Sequence, residues 1–246
     1  MPCGRLVSLR NESDDARLNC DVLTVCRDVV AEIARIIRAC PPLGDKPVVV
    51  QQATDGQPRA CLNGLPDEYV ANVTCLHGRD YARLAFQLGH ELGHFYIDPN
   101  CTTWFIESAC TAISYCSLAA LAEKWVSAPP YPSWSSYAPA FTEYRHNYVH
   151  RGLVELRLGS TADIPAWIRH SLPAVVQSNR FSRHHEALCA EAIADVMSAH
   201  SESCSALTRL GAATDAGRSD FARWRAGASP NEIELIDVLS ELFSHA

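Results

Sequence analysis

None of the eleven cysteines in this 246-residue chain forms a C-x-x-C pair. That removes zinc-ribbon and thioredoxin-type sites from consideration. No stretch approaches 18 uninterrupted apolar residues, so no membrane span is expected. The opening residues, MPCGRLVSLRNESDD, lack the apolar core that a secretory signal needs. An excess of positive charge is missing too. The net charge of −7 argues against a nucleic-acid-binding surface and disfavours anionic membranes. Repeats and low-complexity tracts are absent. These absences predict a soluble, cytoplasmic protein with no nucleic-acid or membrane partner. Cysteines inside apolar helical patterns (Cys20, Cys26, Cys110, Cys116, Cys189) then act as small hydrophobes, and the sequons at Asn11 and Asn72 carry no weight.

What is present describes an ordinary globular chain, 48% hydrophobic and 20% charged, long enough to bury one core with a helical annex. Leu18, Val22, Val25, Val29, Ile33 and Ile36 recur at helical spacing through residues 14–40, and Pro41-Pro42 stops that helix. PVVVQQA (47–53), RACL (59–62) and DEYVANVTCL (67–76) read as strands, with turn signals at Asp55-Gly56 and Asn63-Gly64. A small antiparallel sheet is the economical reading. RDYARLAFQLGHELGHFYI is the next helix, ended by Asp98-Pro99-Asn100. A second long helix, TTWFIESACTAISYCSLAALAEKW, is capped by Thr102 or Thr103. The Pro/Ser/aromatic stretch at 128–140 reads as a loop, followed by helical patterns near 141–150, 165–178, 182–200 and 230–244. The expected class is α+β, with residues 1–127 forming a core that carries the functional site. Residues 128–246 form an all-helical C-terminal subdomain packed on it.

His90-Glu91-Leu92-Gly93-His94 concentrates the chemistry. Imidazoles at i and i+4 of a helix lie on one face a turn apart, so His90 and His94 can chelate one Zn2+. Glu91 is rotated by roughly 100° from His90, within reach of a zinc-bound water without being a ligand. Zinc lowers the pKa of such a water to about 7, and a neighbouring carboxylate can accept the proton as the water attacks a carbonyl. Chance produces H-E-x-x-H in a chain of this composition roughly 2% of the time. Gly93 costs a helix about 1 kcal/mol relative to Ala, which predicts close packing of another element, or of the ligand, at that point.

LAFQLGHELGHFY followed by TTWFIESACTAIS resembles the gluzincin branch of zinc metallopeptidases, the peptidase MA-like HExxH enzymes, over roughly residues 45–125. In that family a second helix supplies a glutamate, often within Trp-Leu-x-Glu-Gly-x-Ala, and Trp104-Phe105-Ile106-Glu107-Ser108-Ala109 is similar. The resemblance implies His90, His94 and Glu107 as zinc ligands and Glu91 as the catalytic general base. A competitor for third ligand exists. Glu191-Ala-Ile-Ala-Asp195 is similar to the Asn-Glu-Ala-Ile-Ser-Asp stretch of thermolysin-like enzymes, where Glu is the ligand and Asp orients a histidine. Glu107 is favoured because a 12-residue gap needs one turn and one helix, because Trp104-Phe105 suits a buried helix start, and because Ser108, Ala109 and Ala112 permit close helix approach.

Gluzincins bind substrate along a sheet edge, and Glu68–Leu76 is the candidate, with an interior strand as the alternative. Tyr144, His146, Tyr148 and His150 are candidates for stabilising an oxyanion. His184, His185 and His200 read as surface residues, Cys110 and Cys116 as core. The stretch at 129–137 either walls a cleft or packs over the core. The expected activity is zinc-dependent hydrolysis of a peptide or protein substrate. The alternatives are a non-catalytic zinc-stabilised binding or regulatory domain, and a dedicated regulatory protease with one protein target.

Overall fold

The computed structural model describes residues 6–10, 12–61, 67–215 and 218–243; the Asn63-Gly64 turn and the Asn11 sequon lie outside them. Strand β1 (Val7–Arg10) leads into helix α1 (Ala16–Ile37), whose first turn is capped by the Asp15 carboxylate accepting from the Arg17 and Leu18 amides. The helix ends where Arg38 turns left-handed at φ 57°, ahead of the Pro-Pro pair. Strands β2 (Val48–Gln52), β3 (Arg59–Cys61) and β4 (Tyr69–Val73) follow. Between β2 and β3, Gly56 takes φ +72° and Asp55 accepts the Gln57 amide, which makes the turn that Asp55-Gly56 predicts.

The sheet order is β1-β2-β4-β3. It is mixed, and the antiparallel expectation is corrected: β1, β2 and β4 run parallel, and only β3 is antiparallel, paired to β4. The physical reason is α1, a 22-residue crossover long enough to return the chain and start β2 in the direction of β1. Continuous burial of Val48–Val50 and of all five β4 residues is the pattern of strands covered on both faces, not of an alternating half-exposed sheet. β1, which the sequence reading missed, completes one edge.

Helix α2 (Tyr81–Ile97) is capped by Asp80 and buried nearly all round, between the sheet and α1 on one side and helix α3 (Trp104–Ser127) on the other. Thr103, not Thr102, caps α3, accepting the Ile106 amide. By length and hydropathy α3 resembles a membrane span, but 72% of its most apolar window is buried inside the protein. It is apolar on every side because other helices surround it.

The chain then makes a 3-10 turn at Pro132–Tyr137 and continues through α4 (Ala138–Glu155), α5 (Ile164–His170), α6 (Leu172–Gln177) and α7 (Arg183–Ala199). A two-stranded ribbon, β5 (Thr214–Asp215) and β6 (Arg218–Ser219), interrupts the tail before α8 (Phe221–Ala226) and α9 (Ile233–Phe243). The tail is therefore helical except for this ribbon, whose strands are too short to carry an alternating pattern. The 129–137 stretch packs over the core: Trp134 lies 5.0 Å from Tyr81 and 5.1 Å from Trp125, and the Tyr137 hydroxyl accepts the Ala82 amide. Helices α4 and α7 pack against α3.

Candidate metal centre

The α2–α3 contact sets the site. A side chain at Gly93 would meet Cys110 at 2.9 Å, and one at Gly89 would meet Ser114 at 3.0 Å. Two glycines four apart thus bring α2 down onto the Cys110–Ser114 face of α3, the close packing Gly93 predicts. One turn before the motif, the Gln87 amide accepts the Thr74 amide N–H at 2.8 Å and donates to the Thr74 hydroxyl at 2.8 Å, fixing α2 to the end of β4.

His90, His94 and Glu107 converge across this contact. His90 Nε2 lies 3.1 Å from Glu107 Oε2 and 3.3 Å from His94 Nε2, and His94 Nε2 lies 3.6 Å from Glu107 Oε1. Bonds of about 2.0–2.1 Å in tetrahedral coordination place neighbouring donors about 3.4 Å apart. The three separations bracket that value, so the residues fit one small cation. They are also the single group of three potential metal donors among the described residues. The donor set accommodates first-row divalent ions in general and does not by itself select zinc.

Hydrogen bonding behind His90 sharpens the fit. Thr111 Oγ1 lies 2.6 Å from Glu186 Oε1 and 2.9 Å from His90 Nδ1. A carboxylate only accepts, so the Thr111 hydroxyl donates to Glu186 and accepts from His90 Nδ1–H. This assigns the Nδ1–H tautomer to neutral His90 and turns the Nε2 lone pair toward Glu107. Lone pairs and a carboxylate facing one another at these distances need either a proton or a cation between them.

The electrostatics agree. In the metal-free site, where protons take the cation's place, burial opposes the charge on Glu107, but hydrogen bonds from His90 and His94, and their charge, hold its carboxyl well below the usual range. Burial likewise opposes a charged His94, yet interactions with Cys110 and Glu107 push it up to about 11. Burial raises the Cys110 thiol, opposed by the charge of His94 and a hydrogen bond with it.

Glu91 stands apart from the cluster and lines the same cleft. It is only 3% exposed. Burial raises its pKa, opposed by the neighbouring histidines and by a hydrogen bond from the Ala60 backbone of β3. The cleft has a volume of about 530 Å³, and Glu91, His90 and Glu107 share its wall with Tyr144 and Tyr148 of α4.

Other candidates separate from the site. Glu191 sits in an ion pair with Arg145, at 3.0 Å to each carboxylate oxygen, and Asp195 lies 3.8 Å from the same guanidinium. Glu68–Leu76 is not the free edge: β4 is flanked by β2 and β3, and β3 is the edge strand beside the cleft, with Gly56, Gln57 and Pro58 in the cleft wall. His146 and His150 stack on each other at 6.0 Å on the exposed face of α4. His185 caps α7 with Ser182, and His200 faces Glu234 at 3.5 Å. Trp104 and Phe105 anchor the tail through Phe181 and Phe243.

Thr111 and Glu186 escaped the sequence reading. Thr111 lies one turn after Glu107 on the same helix face, a spacing that marks it. Glu186, 75 positions beyond Thr111, has no local signal. No protein-family model, curated protein or solved structure matches the chain.

Proposed function

We propose that this protein is a cytoplasmic zinc metallopeptidase of gluzincin type, with His90, His94 and Glu107 holding Zn2+ and Glu91 as general base. The observation that carries the reading is the convergence of the three donors at tetrahedral-edge distances, with a buried carboxylate outside the donor set in the same cleft. A structural zinc site is closed by four protein ligands and needs no such carboxylate; an open three-ligand site beside a cleft is the catalytic pattern. Nine free cysteines, with no disulfide among the described residues, accord with a reducing compartment.

Zinc bound there supplies Lewis acidity, polarising a carbonyl and lowering the pKa of water to about 7. Glu91, its pKa raised by burial, accepts a proton from the attacking water and returns it to the departing amine. The Ala60 backbone of the edge strand opposes that rise. Thr111 and Glu186 keep His90 in the tautomer whose Nε2 faces the ion. Tyr144 and Tyr148 of α4 line the cleft and are hydroxyl donors available to a developing oxyanion.

The test is to incubate zinc-loaded protein with a peptide digest and, separately, with a native cytosolic proteome, and to identify new termini by mass spectrometry. Cleavage is expected in at least one, and Glu91→Gln should retain zinc while cleaving about 10³-fold more slowly. Absence of new termini in both, from protein that holds zinc, contradicts the reading.

A further inference from the structure

Beside the main cleft lies a smaller cavity of about 160 Å³, and the two share Tyr148, Arg151 and Arg183; His184 completes the smaller one. The juxtaposition is built into the helix packing. Arg151 is on α4 and Arg183 begins α7, and the helices touch at Gly152, where a side chain would meet the His184 carbonyl and Leu188 at 3.0 Å. Both arginines are thus mounted on packed helices instead of a loop, and both are exposed.

Arg151 and Arg183 form no ion pair among the described residues, and both line the same small cavity. Two cations lining one cavity repel, and an anion between them relieves that repulsion. The charges of Arg183 and Arg151 also act on the Tyr148 hydroxyl, opposing the rise that burial and Glu186 impose on it. Two donor forks and a phenol on one wall match a carboxylate, which accepts bidentate hydrogen bonds from guanidinium.

We infer that the Tyr148–Arg151–Arg183 pocket is a substrate subsite for a carboxylate, supplied by an Asp or Glu side chain or by a free chain terminus. The inference rests on the peptidase reading for its occupant. Its recognition chemistry is separate from the metal cluster.

The experiment uses zinc-loaded Glu91→Gln protein and four alanine-rich peptides: one Glu-containing and one Gln-containing, each with a free and with an amidated C-terminus. Dissociation constants are measured by fluorescence anisotropy. A side-chain occupant predicts that Glu binds about fivefold tighter than Gln, and a terminal occupant predicts the same margin for acid over amide. The margin should shrink between about 0.05 and 0.5 M salt. It should vanish in Arg151→Gln/Arg183→Gln, whose zinc content and circular dichroism are unchanged. Equal binding of all four peptides, including no binding up to millimolar concentration, overturns the subsite, as does a margin that survives the double substitution. A margin in protein that binds no zinc and cuts nothing keeps the carboxylate pocket and removes the peptidase reading; cleavage without a margin removes the pocket alone.

Discussion

The two sides of the cleft are assembled by opposite means. The α2–α3 side draws His90, Glu91, His94 and Glu107 from 18 consecutive positions, locked by two glycines pressed on the facing helix. The α4–α7 side draws Tyr148, Arg151, Arg183 and Glu186 from helices separated in sequence and joined through the core. The first side holds donors close enough to share one ion; the second holds exposed cations with no ion pair among the described residues, and one carboxylate that reaches across to Thr111. Geometry demanding sub-ångström placement resides in short-range packing. Groups that need only face the cleft are contributed from afar.

The largest effect that sharpens this contrast concerns the Thr111–Glu186 hydrogen bond, which crosses it. Thr111→Val removes the acceptor of His90 Nδ1–H with little change of shape, and Glu186→Gln weakens the charge behind it. Each should loosen zinc binding by roughly 10- to 100-fold in competition with a chelator. Unchanged affinity in both would mean that the α7 side does not support the centre. Glu191→Ala tests the opposite claim. It breaks a partly buried pair with Arg145, and should cost about 2 kcal/mol in urea unfolding while leaving zinc affinity as in wild type.

Smaller effects probe the helix contact itself. Gly93→Ala gains helix propensity of about 1 kcal/mol but forces a methyl against the Cys110 backbone, where overpacking costs about 1–3 kcal/mol. A net loss near 1 kcal/mol, with weaker metal retention, is expected by thermal denaturation. Stabilisation would mean that the helices can separate without consequence.

The pH dependence should be gentler still. In metal-free protein the lowered pKa of Glu107 contributes stability that is present above about 4.5 and lost as pH falls. The raised pKa of His94 contributes stability that is full below about 6.5 and lost as pH rises toward about 11. Glu107→Gln should therefore destabilise the metal-free fold most between these two ordinary values. Metal binding must displace the proton from His94, so zinc affinity should fall as pH falls.

Much of the first side was legible because its chemistry is periodic. His90 and His94 share a helix face by spacing alone, Gly93 announced a tight contact, and Trp104–Ala109 placed Glu107 at the next helix start. The strand direction was not legible in the same way. Val48–Val50 reads as a strand in either orientation, and only the crossover through α1 and the unexpected β1 make it parallel. The choice between edge and interior strand for residues 68–76 stayed open for the same reason, since pairing order is a long-range property and the three-residue β3 carries a weaker pattern than β4. On the second side, Tyr144 and Tyr148 were visible as candidates, but nothing local distinguishes Arg151, Arg183 and Glu186 from solvated helix residues. Their meaning comes from Gly152 pressing α4 onto α7.

The central claim is that the ion is held by His90, His94 and Glu107 and by no residue of the tail. Zinc stoichiometry measured by inductively coupled plasma mass spectrometry tests it most directly. The account predicts about one zinc per chain in the wild type, Glu91→Gln and Glu191→Ala proteins, set by the three-donor site, and near-complete loss in Glu107→Ala. Zinc retained in Glu107→Ala and lost in Glu191→Ala would contradict it.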